Sequence, residues 1–551
     1  MTTNTAPTSS SKPGFFTTLI DGNEGGLKAN GLTPAQKLSL RFVVVGLIYF
    51  GFAAIEGMLM RIYQIEIISF IGVEQYFGIL TAHPLVGIFG SSYMIVFGAF
   101  LFVIPFMMKK PLWSLKVGQA SFLLIAIGTF TFWFSGFISH YAALYTLYWP
   151  LPADFDQFSA LGGSFFIGGI ALVMVGSLLF VLNVFKSIAY TPEGWEQQPA
   201  GALLSSALGF TGLANLFRKE KKEHLVPLPV AAIARGSVDV ALNAIIITFS
   251  GVLILVYMIW HLAGVNLADT AIDALLYKNW YWWGLDLVAD GLVLVFVAGT
   301  WYLLATLITG KKLFMQNIAR AALAVELIVS WTVWSHHLLS DQSQPAILKI
   351  LSGELVTAFE LITQGIAIFV TLATLWMARP LKMTNELKFL LGGLLGFGLA
   401  VPAGIMQADM GLNRILHNTQ WIIGPHVHVA IIVGLGMTLY AAIYALWPLL
   451  TNGVKLYSQW MANVHFWGTL VGGIGMGAFM GMAGLQGMLR RTIYFEGEFT
   501  PYMWLAGISG ALILIGFVFF MLNIIMSVGL KGLLGIFTKS KLDTKDLVPT
   551  D

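Results

Sequence analysis

Long apolar runs separated by short polar loops dominate the chain from about residue 39 to residue 530. Twelve runs, at roughly 39–63, 80–108, 116–147, 161–186, 229–261, 281–309, 315–339, 349–378, 387–408, 422–450, 460–488 and 502–530, have the length of membrane-spanning helices. This predicts an all-α integral membrane protein: a twelve-transmembrane-helix bundle over 39–530, with polar tails at 1–38 and 531–551. The longest polar break, 187–228, holds the run Arg218-Lys219-Glu220-Lys221-Lys222-Glu223, which predicts a solvated loop.

Composition agrees. At 57% hydrophobic, 10% charged and a mean hydropathy of +0.80, the chain is not a soluble globular protein. A net charge of +3 gives no electrostatic case for nucleic acid. The absence of cysteine excludes disulfides, thiolate-held clusters and thiolate-bridged copper on this chain, so a metal needs His, carboxylate or Met ligands. The polar start lacks a basic segment followed by an apolar core, which predicts a soluble tail rather than a cleaved signal.

Basic residues orient the bundle. Lys28, Lys37, Lys109, Lys110, the 218–222 cluster, Lys311, Lys312, Arg379, Lys382, Lys455, Lys531, Lys539 and Lys541 fall on one side of the twelve-span topology. Both termini are therefore expected in the cytoplasm. Arg490 and Arg491 fall on the outer side against this rule, which suggests a bound anion that neutralises them.

With that topology, His83, the pair His336-His337, and His426 and His428 all fall in the outer part of the bilayer. Ionisable residues inside a membrane are expensive and usually functional. His426 and His428 are two apart, and at about 100° per residue they point to nearly opposite faces of one helix. Three single histidines on two helices suit a bis-His haem between His83 and His428 and a second haem on His426. The His336-His337 pair suits a non-haem metal facing that second haem.

These features resemble subunit I of the haem–copper oxidase superfamily, which includes the nitric oxide reductases. His417-Asn418-Thr419-Gln420-Trp421 and Gly424-Pro425-His426-Val427-His428 are similar to the family's haem-ligand signature, and Arg490-Arg491 to its tandem arginines on haem propionates. The resemblance implies a low-spin haem of b type held by His83 and His428, a high-spin haem on His426, and a non-haem metal on His336 and His337. It also implies a prokaryotic cytoplasmic membrane, a second electron-transfer subunit, and electrons from cytochrome c, a cupredoxin or quinol. No covalent haem attachment is possible without cysteine.

The sixth span departs from the oxidase pattern of a third His followed by a cross-linked Tyr. Trp282-Trp283-Gly284-Leu285-Asp286-Leu287-Val288-Ala289-Asp290-Gly291 puts Asp286 at the His position and Asp290 where the reductases carry an iron-binding Glu. No Tyr occurs between Lys311 and Ile350 to replace the missing one. Carboxylates four apart share a helix face, and two His with a carboxylate favour non-haem iron over copper. Iron is the expectation, with copper the alternative. Reductive coupling of two NO needs two electrons and two protons, whereas splitting dioxygen needs four electrons, one of which the Tyr is thought to supply in the oxidases.

The expected activity is therefore NO reduction to N2O. An O2-reducing terminal oxidase is the alternative, and NO dismutation a further one. A secondary transporter would show repeats and midplane sites, and the chain shows neither. Glu360, in a segment similar to a buried-Glu stretch of the reductases, and Glu326 are the expected proton-relay residues. Glu56 and Arg61 are expected to pair with each other or to meet a haem edge. His140, His261, His417 and His465 are expected to be structural, and His224 a loop residue.

Overall fold

The computed structural model describes residues 14–540, apart from 66–70, 194–195, 269–270, 335, 341–343 and 495–496, and for His336 the backbone alone. Among the described residues, eleven helices have membrane-crossing length and composition. They are α1 (Pro34–Gln64), α2 (Val73–Met108), α3 (Leu115–Phe137), α4 (Ala160–Ala189), α5 (Leu228–Leu262), α6 (Ala274–Thr309), α8 (Ala346–Met377), α9 (Asn385–Ala408), α10 (Ile422–Leu450), α11 (Gln459–Leu485) and α12 (Gly497–Val528). Between α6 and α8 lies α7 (Gln316–Trp331). The expected all-helical membrane bundle is present.

Local chemistry explains where helices start. Thr33 closes a capping box with Gln36 ahead of Pro34, so α1 begins in the polar segment before the apolar run. Asp273 caps α6 by accepting from the Leu276 amide at 2.7 Å, and Ser458 caps α11.

Three expectations are corrected. The seventh run, 315–339, is helical only over 16 residues, about 24 Å at 1.5 Å per residue, so α7 falls short of a hydrocarbon layer of about 30 Å. His336 and His337 lie beyond it in a 3-10 turn, His336–Leu338. The third run, 116–147, leaves the helix after Phe137, because His140, Leu144 and Leu147 adopt left-handed backbone angles. Its apolar residues are buried all the same: Tyr141, Ala143 and Leu147 are at most 1% exposed. Hydropathy measures transfer from water, not hydrogen-bond pattern, so it cannot separate a helix from a buried loop. Thirdly, the 187–228 break contains two short helices, Ala200–Ala207 and Phe210–Phe217, bent by 80°. The 218–223 charge run is exposed, as expected.

Four spans contain wider π-type turns: Val86–Tyr93 in α2, Ala289–Phe296 in α6, Ile350–Leu355 in α8 and Ile422–Gly436 in α10. Three of them lie within three residues of His83, Asp290 or the His426/His428 pair, and such turns concentrate at functional sites. Pro84 and Pro425 each remove one helix hydrogen bond at two of them.

Glycine faces of its neighbours clasp α10. A Cβ at Gly396 of α9 would meet the Gly434 nitrogen at 2.5 Å. On α11, a Cβ at Gly481 would meet Pro425 at 2.5 Å, and one at Gly484 the Trp421 nitrogen at 2.1 Å. Small residues permit this approach where lipid gives no hydrophobic drive between helices. Because the obstacle at Gly484 is backbone, Gly484→Ala is expected to destabilise the protein by about 1–3 kcal/mol, the cost of overpacking. A detergent melting curve unchanged from wild type would refute this.

Candidate metal and haem site

His83 of α2 and His428 of α10 face each other, with ring centroids 6.5 Å apart and ring planes 21° apart. Two imidazole nitrogens each about 2.0–2.1 Å from one metal would put the centroids roughly 6.4 Å apart, so the gap fits one shared metal. Their other nitrogens are occupied: His83 Nδ1 bonds the Ala53 carbonyl at 2.9 Å and His428 Nδ1 the Ile423 carbonyl at 2.6 Å. This fixes the tautomer and leaves each Nε2 lone pair facing the gap. A Cβ at Gly57 would lie 3.3 Å from the His83 ring, so α1 lines the site with a residue that leaves room for it.

His426 points away from this pair, toward α9, where a Cβ at Gly404 would lie 3.1 Å from its ring. The two histidines of α10 thus serve opposite faces, as their spacing predicts. Across from them, His337 Nδ1 meets Asp286 Oδ1 directly, and the His337 ring lies 5.5 Å from that of Trp282. Asp290, one turn further along α6, is 2% exposed with one carboxyl oxygen lacking a hydrogen-bond partner. The Glu360 carboxyl reaches Asp290, and Glu326 accepts from Thr363, whose hydroxyl also lies 3.0 Å from the Glu360 carbonyl. The four carboxylates therefore run from α6 to α8 to α7. Among the described residues no three His or acidic side chains close on one point. The His336 side chain, one of the expected ligands, lies outside the described residues. The donors that are described, an imidazole in contact with one carboxylate and a second buried carboxylate a turn away, fit a non-haem metal of the nitrogen–oxygen class.

Arg490 and Arg491 are positioned by an antiparallel bridge between Thr419 and Leu489, with the Arg490 amide donating to the Asn418 carbonyl at 3.0 Å. They line a cavity of about 460 Å³ with Tyr148, Lys278, His337 and His417. No described carboxylate lines it. Arg490 donates to Asn418 Oδ1 at 3.3 Å and Arg491 to the Tyr145 hydroxyl at 3.1 Å, and the Nε of each lacks a partner. Burial, followed by the charge of Arg491, pushes the Arg490 guanidinium down to about 10. A cationic pocket reaching His337 fits the carboxylates of a haem at His426.

Glu56 and Arg61 do not pair. Arg61 donates to Gln64 Oε1 at 2.5 Å and lies against the Met503 sulfur, while the Glu56 carboxyl faces Trp133. They lie more than one helical turn apart, beyond the i+3 and i+4 spacing that brings side chains together. His465 is fully buried and bonds the Tyr444 hydroxyl at 3.2 Å, a structural role as expected. His417, also expected to be structural, instead lines the cationic cavity. Sequence reading did not single out Lys278 in this cavity, or Arg235 and Asp239 of α5. For the last two a signal existed: opposite charges four apart inside an apolar run.

A sequence profile described as cytochrome c and quinol oxidase polypeptide I matches residues 37–512. Cytochrome c oxidase polypeptide 1 of Halobacterium salinarum is 27% identical over 221 residues, covering 40% of this chain and 36% of the relative. Cytochrome c oxidase subunit 1 of Thermostichus vulcanus is 27% identical over 212 residues, covering 38% of this chain and 37% of the relative. Both alignments thus span well under two thirds of those relatives. Ubiquinol oxidase subunit 1 of Acetobacter aceti is 22% identical over 507 residues, covering 87% and 68%. A haem–copper terminal oxidase dimer solved by cryo-electron microscopy shares the fold, with a TM-score of 0.69 at 19% identity over 93% of this chain and 86% of that one.

Proposed function

Because the chain belongs to the cytochrome c and quinol oxidase polypeptide I family, subunit I of the haem–copper oxidases, we propose that it is the catalytic subunit of a respiratory nitric oxide reductase. Members of this family are membrane oxidoreductases that bind haems and a metal centre. The observation that carries the reading is the contact between Asp286 and His337, with Asp290 a turn beyond it, where the oxidase pattern has a His and a Tyr. The names of the relatives support the second reading, an O2-reducing terminal oxidase.

In this reading His83 and His428 hold a low-spin haem, His426 a high-spin haem, and His336 and His337 with Asp286 and Asp290 a non-haem metal, iron by donor set. When bound, these groups supply the electrons and the two positions at which NO is held. The chain orients and neutralises them. Asp286, in contact with His337 Nδ1, would hold the orientation of that ring in the site. Arg490 and Arg491 pair with the haem carboxylates. Two NO, two electrons and two protons give N2O and water. Asp290, Glu360 and Glu326, bridged by Thr363, offer buried carboxyl groups to carry the protons. With α7 and the turn beyond it taken together as the twelfth crossing, the charge pattern of the loops supports a site near the outer face and both termini in the cytoplasm. Electrons come from a second subunit, a soluble cytochrome c or cupredoxin, or quinol.

The test is anaerobic turnover of the purified, reduced complex with NO, with N2O as the readout and O2 uptake measured in parallel. N2O formation at least about tenfold faster than O2 uptake is expected; on the rate scale that is about 1.4 kcal/mol of discrimination. O2 uptake without N2O would establish the oxidase reading instead.

A further inference from the structure

Arg235 and Asp239 sit in the N-terminal half of α5, fully buried, with Arg235 Nη1 donating to Asp239 Oδ2 at 2.7 Å. The other arm of the guanidinium crosses to α7, donating to the Glu326 carbonyl and to Ser330 Oγ, both at 2.6 Å. Ser330 Oγ in turn donates to Asp239 Oδ1 at 3.1 Å, which closes the ring of contacts. On its other side Asp239 presses against α6: a Cβ at Gly291 would meet Asp239 Cβ at 2.9 Å and the Gly236 carbonyl at 3.1 Å. Gly291 immediately follows Asp290. One ion pair thus touches the helix that carries Asp286 and Asp290 and the last turn of the helix that leads to His336 and His337.

A buried ion pair adds little net stability, because desolvation offsets the Coulomb attraction. What a forked guanidinium adds is fixed geometry. Geometry is what α7 lacks: it is short and ends at Trp331, ahead of the separate 3-10 turn that begins at His336. We propose that Arg235, Asp239 and Ser330 form a positioning lock that sets the separation between the carboxylates of α6 and the histidines that follow α7. None of the three touches the reacting atoms; they act through the last turn of α7. The inference rests on the reading of His337 and Asp286 as part of a non-haem metal site.

The experiment measures non-haem metal per haem in the purified protein, by elemental analysis against haem content, for wild type, His337→Ala, Ser330→Ala and the double variant Arg235→Met/Asp239→Leu. Removing both charges together avoids stranding one of them. Both lock variants are expected to keep the two haems while non-haem metal per haem falls well below the wild-type ratio, as for other groups that orient ligands from behind. A purely structural role would lower haem content and metal together. Should the double variant lose its haems, Ser330→Ala, which keeps the charges paired, decides alone. Full metal content in the lock variants with loss in His337→Ala overturns the lock but leaves the site reading intact. Full metal content in His337→Ala overturns the site reading, and the lock with it.

Discussion

His428→Ala is expected to abolish the low-spin haem spectrum and to lower turnover at least about 100-fold, roughly 2.7 kcal/mol on the rate scale. The two rings stand 6.5 Å apart with both Nδ1 atoms bonded to backbone carbonyls, so only their Nε2 atoms face the gap and neither ring has another donor to replace it. His83→Ala should therefore give the same spectrum. His465→Ala provides the contrast: that ring is buried among Phe389, Tyr440 and Phe520, and its loss should leave both haems in place. Optical spectra of the three reduced proteins check this. A normal low-spin band in His428→Ala would remove the ligand assignment.

The second large effect is expected at Asp286. Asp286→Asn keeps the shape but replaces a charged acceptor at His337 Nδ1 with a neutral amide. Groups that orient a ligand ring are worth about 10–100-fold in metal affinity or activity, so N2O production should fall by that factor while both haem spectra stay normal. Added Fe(II) should restore part of the rate, because the defect lies in affinity. An Asp286→Asn protein with full metal content and full rate would mean that the carboxylate neither ligates nor orients. Asp290→Asn should likewise spare the haem spectra, since the contacts of Asp290 run to Glu360 rather than to a haem-facing His.

Much of this was legible in the chain. The two-residue spacing of His426 and His428 sent them to opposite faces even though the segment is a π-type rather than an α-helix, because both geometries turn by nearly half a revolution in two residues. The exception of Arg490 and Arg491 to the charge rule pointed to an anion, and both line a cavity without a described carboxylate. The end of α3 at Phe137 was not legible, since Tyr141, Ala143 and Leu147 count as membrane-apolar whether they lie in a helix or in a buried loop. The short α7 was missed for the same reason. Pairing of Glu56 with Arg61 was suggested by proximity in sequence, and was overridden when Gln64 and two methionine sulfurs met the guanidinium.

The sequence by itself determined residence in a membrane, the helical class, nearly every span, and which histidines share a helix and on which faces. These follow from transfer free energy and helical rotation, which are properties of neighbouring residues. Tertiary structure alone decided that Asp286 meets His337 from 51 positions away, that α10 lies clasped between the glycine faces of α9 and α11, and that Arg235 and Asp239 tie α5 to α6 and α7. Those contacts join residues on different helices, and their geometry depends on how the whole bundle packs, which no local pattern encodes.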